Sequence, residues 1–163
     1  MILEYVQILR WFGYLAVLSF GSFVAGRFLP YRWFRADRFP FRCMKFEQDG
    51  KLYVRMGLPK WQKKVPDMSR IFPFLMPAKK MMDRTPEGLQ TMISETCIAE
   101  AVHLALAVLG FGALAFWHSV PAVVLTVLYC VGNLPFVLIQ RFNRPRLVRL
   151  KTKMEARASA RSL

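Results

Sequence analysis

The residues able to do chemistry in this chain fall into two short runs far apart in sequence. Glu95, Glu100 and His103 form the first; Asn133, Gln140, Arg141, Asn143, Arg144 and Arg146 form the second. At about 100° per helical residue, His103 projects about 60° from Glu100 on one side and about 80° from Glu95 on the other. An imidazole set between carboxylates is a usual general base for a hydroxyl group. Guanidinium and amide groups suit the complementary task of holding phosphate or a developing oxyanion. His103, Glu100 and Glu95 are therefore the catalytic candidates. Asn133, Gln140, Arg141, Asn143, Arg144 and Arg146 are the substrate-binding candidates. One ExxH motif supplies two metal ligands, whereas a carboxylate-bridged di-metal site uses two such motifs, so neither a metal nor a cofactor is expected. Cys43, Cys97 and Cys130 lack paired spacing, which argues against a disulfide or zinc framework.

The elements that must position these groups are apolar. Of 163 residues, 55% are hydrophobic, yet the formal net charge is +14. The two properties separate along the chain. Three stretches, about 11–29, 98–117 and 120–140, approach the roughly 20 residues needed to cross a hydrocarbon core of about 30 Å. The first lacks a basic leader and a small-residue cleavage site, so it is expected to be retained. Of the 24 Lys and Arg, 15 lie between Arg27 and Arg84 and eight between Arg141 and Arg161. That bias puts the central region and the tail at the cytoplasmic face and the N-terminus outside. The basic residues also suit attraction to anionic lipids.

Thr85-Pro86-Glu87 is a helix start, and nothing before the His118 to Pro121 turn forces a stop. Because that turn is short, the second and third spans should form an antiparallel hairpin. Positions equally far from residues 119–120 then lie at one depth. Glu100 is level with about residue 139, and Glu95 with about residue 144, at 1.5 Å per residue. The hairpin thus carries Glu95, Glu100 and His103 to the same membrane edge as Gln140, Arg141, Asn143 and Arg144. Pro135 frees a carbonyl near Val131, and Pro145 biases Arg144 away from helix. The same polar groups could instead lock the hairpin of a non-catalytic protein.

Between the first two spans, Pro30 to Phe46 mixes arginines with aromatics, which suits a lipid interface better than a nucleic acid. An Asp49-Gly50 turn and a short strand at Leu52-Tyr53-Val54 are expected next. Met68 to Met82, broken by Pro73 and Pro77, reads as a membrane-hugging or packed segment.

The sequence resembles the glycosyl-4,4'-diaponeurosporenoate acyltransferase family, membrane enzymes of staphyloxanthin-type carotenoid biosynthesis. The likeness is densest in Glu95-Thr96-Cys97-Ile98-Ala99-Glu100-Ala101-Val102-His103, in Asn133-Leu134-Pro135, and in Gln140-Arg141-Phe142-Asn143-Arg144-Pro145-Arg146-Leu147. Fainter matches are Phe46-Glu47 with Gly50 and Tyr53, and Trp61 with Pro66-Asp67. Phe142 replaces the usual tyrosine, Leu104 an aromatic and Ile98 a basic residue. The first 45 residues match poorly. The resemblance implies transfer of a fatty acyl group to a sugar hydroxyl of a glycolipid-like acceptor, of which a glycosylated carotenoid is one. The family's glutamates and histidine fall on Glu95, Glu100 and His103. Its Asn, Gln and Arg fall on Asn133, Gln140, Arg141, Asn143, Arg144 and Arg146.

The expectation is therefore an all-α membrane protein with about three transmembrane helices. A transmembrane segment at 1–29 precedes a basic cytoplasmic or interfacial region at 30–85. The transmembrane hairpin with its polar site follows at 86–147, and a basic cytoplasmic tail at 148–163. Its expected function is that of a multi-pass cell-membrane acyltransferase. Its partners are an acyl donor (acyl-CoA or acyl carrier protein), a glycolipid-like acceptor and anionic membrane lipids, with no nucleic acid. The alternative is a non-catalytic scaffold or lipid-binding partner protein.

Overall fold

The computed structural model describes residues 2–65 and 85–161. The features expected at Pro66-Asp67 and from Met68 to Met82 lie outside the described residues. Every regular element among those described is helical: α1 (Ile2–Phe28), α2 (Lys51–Arg55), α3 (Leu58–Trp61), α4 (Pro86–Leu109) and α5 (Val120–Arg161). Short 3-10 turns occupy Tyr31–Trp33, Lys45–Gly50, Gln62–Lys64 and Gly110–Ala115. Two compact units result. One comprises Met1–Trp33 with Ile98–Gln140, and the other Phe34–Cys97 with Arg141–Leu163. They are called here the apolar and the polar unit, and α4 and α5 contribute to both.

In the apolar unit, Trp11, Leu15, Ala113, Trp117 and Ala122 form the core, with Tyr14 and Tyr129 packed on it. Small residues at 113 and 122 leave room for the two indoles, which meet edge to face at 6.0 Å. The Trp11 indole also donates to Thr126 Oγ1 at 3.0 Å. The continuous helix expected up to His118 changes its winding at Gly110. A Cβ there would lie 2.8 Å from the Tyr129 ring and 2.9 Å from Cys130 Sγ, so only glycine permits this approach. Beside the change, the Tyr14 hydroxyl donates to the Leu109 carbonyl at 2.7 Å.

The outer faces of this unit are apolar. Leu9 is 73% exposed, Val17 74%, Phe20 63% and Leu128 62%. Water penalises such a surface, whereas hydrocarbon does not. Three helical stretches, Ile2–Phe28, Pro86–Ala115 and Val120–Ala160, are long and apolar enough to cross a membrane.

In the polar unit, Leu58, Leu89, Ile93, Cys97 and Phe142 are buried. The Asp49-Gly50 turn forms as expected, with Gln48 and Asp49 at φ 49° and 54° and Gly50 at 90°. The strand expected at Leu52-Tyr53-Val54 does not form; these residues belong to α2. A lone strand leaves its backbone groups unpaired, whereas a helical turn satisfies its own, as in Met56 N–H to Leu52 O at 3.0 Å. Gly57, at φ 71°, ends that turn. Thr85 caps α4 as anticipated, its Oγ1 accepting from the Gly88 N–H at 3.1 Å. Pro145 does not push Arg144 out of helix, because α5 continues to Arg161. Burial of Phe142 and Arg144 overrides the local preference.

Candidate functional site

Within the apolar unit, the half-buried His103 ring lies with Nδ1 3.0 Å from Asn133 Oδ1. The direction of that bond follows from the second bond of Asn133. Its Nδ2 donates to the Tyr129 carbonyl at 2.9 Å, and a carbonyl can only accept. The amide oxygen must therefore face the imidazole and accept from Nδ1–H. A neutral His103 so held carries its lone pair on Nε2, the atom needed to take a proton. Phe136 stacks on the ring at 4.6 Å with an interplanar angle of 10°, which fixes its plane. Glu100, one turn earlier on α4, is 1% exposed.

Within the polar unit, Arg141 forms the main ion pair. Its Nε donates to Glu47 Oε1 at 2.7 Å and its Nη2 to Oε2 at 3.0 Å, a two-pronged geometry. Arg141 Nη1 reaches the Pro40 carbonyl at 3.1 Å. Glu47 also accepts from the Tyr53 hydroxyl and the Met44 N–H. Burial opposes ionisation of Glu47, but donors from Arg141, Tyr53 and Met44 outweigh it and hold the carboxyl below the usual carboxylate range. Burial and the Glu47 carboxylate together push the Tyr53 phenol up. The same two causes raise the Cys43 thiol.

Arg144, 4% exposed, occupies the next turn of α5. Its Nε donates to Thr96 Oγ1 at 2.9 Å, Nη2 to the Thr96 carbonyl at 3.0 Å and Nη1 to the Phe41 carbonyl at 2.6 Å. Arg146 is exposed and lays its guanidinium over the Phe142 ring at 3.8 Å.

Of the residues singled out by sequence, His103 and Asn133 meet directly. Arg141 and Arg144 stand one turn apart on α5, each bonded to a group of its own unit. Glu95, Gln140 and Asn143 are half-buried. Phe136, Thr96 and Phe41 were not among the candidate site residues. Glu47 entered the sequence reading only through a faint motif, and Tyr53 through that motif and the expected strand. One signal was available for Glu47: it is an acidic residue between the basic Arg42, Lys45 and Lys51, beside a tight turn. A stacked aromatic or a carbonyl acceptor has no comparable signature, since any residue can supply the carbonyl.

The model of the glycosyl-4,4'-diaponeurosporenoate acyltransferase family matches residues 30–153. A protein of that name from Staphylococcus aureus strain MRSA252 is 29% identical over 129 residues, covering 77% of this chain and 76% of the relative. Its counterpart from the bovine strain RF122 / ET3-1 is 28% identical over the same shares of both chains. No solved structure matches.

Proposed function

Because the chain belongs to the glycosyl-4,4'-diaponeurosporenoate acyltransferase family, we propose that it moves a fatty acyl group from a thioester donor to a hydroxyl of a glycosylated carotenoid, with His103 as general base. The acceptor hydroxyl gives its proton to Nε2 as its oxygen bonds to the acyl carbonyl carbon. Collapse of the tetrahedral intermediate breaks the carbon–sulfur bond, and the leaving thiolate takes the proton back from the imidazolium. Asn133 keeps Nε2 as the basic nitrogen. Glu100 balances the imidazolium charge. Gln140, Asn143 and Arg146 bind substrate, while Arg141 and Arg144 hold residues 40–47 and Thr96 of the polar unit in place. The high pKa of Cys43 disfavours it as an acyl-carrying nucleophile.

The observation that carries this reading is the ordered sequence Tyr129 carbonyl, Asn133 amide, His103 imidazole. A purely structural histidine has no need of a defined basic nitrogen. The membrane setting extends the same reading. The three apolar helices span, with α4 and α5 as an antiparallel hairpin. Supporting it are contacts at equal distances from the turn, His103 with Phe136 and Gly110 beside Tyr129. The abundance of Lys and Arg from 27 to 84 and after 140 supports a cytoplasmic side for those segments, with the N-terminus outside.

The test is acyl transfer by purified protein in lipid nanodiscs. His103→Ala lowers the rate by about 10² to 10⁴ with the thermal midpoint nearly unchanged. Asn133→Ala costs less and moves the pH profile, because the tautomer is no longer enforced. Transfer by His103→Ala at the wild-type rate sinks the mechanism. A wild-type protein that transfers nothing, with His103→Ala merely less stable, favours the scaffold.

A further inference from the structure

The polar unit contains a pocket of about 200 Å³. Phe41, Pro145 and Val148 give it an apolar wall, Cys43, Arg149 and the exposed Asp49 also line it, and the lining carboxylate of Glu47 is taken up by Arg141. Its other guanidinium groups are occupied, since Arg141 donates to Glu47 and Pro40 and Arg144 to Thr96 and Phe41. They hold the wall in place. Arg149 is exposed and has no ion pair or hydrogen bond among the described residues.

Arg149 belongs to a row of cations. Arg146 lies three residues before it on α5 and Lys153 four after, so the three project within about 60° of arc, with neighbours about 5–6 Å apart. Arg146 stacks by its face, which leaves the N–H edge available. Glu155, the acidic residue of this stretch, pairs with Lys151 at 3.2 Å on another face. Nothing acidic on α5 neutralises the row.

An apolar cleft with three adjacent cations suits a ligand that has a slender neutral arm and several phosphates. A phospholipid head offers one phosphate and brings two broad chains. We propose that this pocket docks a coenzyme A-type acyl donor, its neutral arm against Phe41, Pro145 and Val148 and its phosphates on Arg149, Arg146 and Lys153. The proposal rests on the acyltransferase reading and names its donor.

Cys43 is the test's reporter, because it is exposed at the pocket while Cys97 and Cys130 are buried. Full-length protein in phosphatidylcholine nanodiscs is labelled with a maleimide at about pH 8, where the raised thiol still reacts. Desulfo-coenzyme A, which has no thiol of its own, is expected to slow labelling at least about fivefold. Arg149→Glu with Lys153→Glu, both exposed positions, should raise the concentration needed by at least about tenfold. Three results overturn the proposal: no protection, protection indifferent to the double substitution, or equal protection by phosphatidylglycerol nanodiscs or an acyl carrier protein without the nucleotide. Labelling requires no turnover. Transfer without protection therefore sinks the pocket and spares the activity, whereas protection without transfer does the reverse.

Discussion

The two units hold their helices with different chemistry, although α4 and α5 run through both. In the apolar unit four bonds join neutral groups: Trp11 to Thr126, Tyr14 to the Leu109 carbonyl, Ser19 with Tyr129, and His103 with Asn133. In the polar unit they carry charge, with Arg141 on Glu47 and Arg144 on Thr96 and Phe41. The difference follows the surroundings. On the membrane reading proposed above, a charge kept in hydrocarbon costs about 2.5 to 3.5 kcal/mol on insertion scales, so neutral partners suit the apolar unit. Near water, an ion pair can be assembled before its groups are desolvated. The base candidate thus meets neutral partners, Asn133 and Phe136. The arginines sit in a network rigid enough to shape a pocket.

That contrast can be broken first at the ion pair. Arg141→Ala strands Glu47, 1% exposed, and should destabilise the polar unit by about 3–5 kcal/mol. Arg141→Met with Glu47→Gln should recover much of the loss, because no unpaired charge is left. Urea or thermal unfolding followed at Trp61 reads both; an additive double variant contradicts the coupling.

The pH dependence of the polar unit comes next in size. The Glu47 carboxyl is depressed when folded, so its contribution is present above its unfolded value near 4.3 and is lost as pH falls through the folded one. Tyr53 is raised when folded, so its contribution holds below about 10 and disappears as pH climbs through the folded value. Stability should therefore fall at both extremes, with Glu47→Gln flattening the acid limb. An unchanged acid limb in that variant would assign acid lability elsewhere.

Smaller effects are expected in the apolar unit. Gly110→Ala should cost about 1–3 kcal/mol, since its Cβ meets Tyr129 and Cys130. Thr126→Val leaves the Trp11 indole without its acceptor and should cost about 1 kcal/mol. Both are measurable by thermal unfolding in nanodiscs. A Thr126→Val protein weakened as much as Arg141→Ala would erase the distinction between the units.

Much of this was legible without coordinates. Apolar length marked the three helices, Thr85-Pro86 marked the start of α4, and Asp49-Gly50 marked the turn, because each depends on its own neighbours in the chain. Equal spacing from residues 119–120 set His103 beside Gln140 and Arg141, whereas its partners are Asn133 and Phe136. The other failures were local. Leu52-Tyr53-Val54 has strand-like residues but no strand to pair with, and Pro145 breaks a rule that the burial of Arg144 overrules.

Composition and spacing alone determined that His103 and Asn133 belong to apolar helices and that the cations crowd the ends of those helices. Only the tertiary structure decided that Asn133 turns its oxygen to His103, and that Glu47 takes Arg141 while Thr96 and Phe41 take Arg144. Hydropathy and helical period act over a few residues and can be read along the chain. The choice of partner for a buried donor depends on which acceptor folding brings within about 3 Å, and that acceptor can be a backbone carbonyl with no side-chain signature at all.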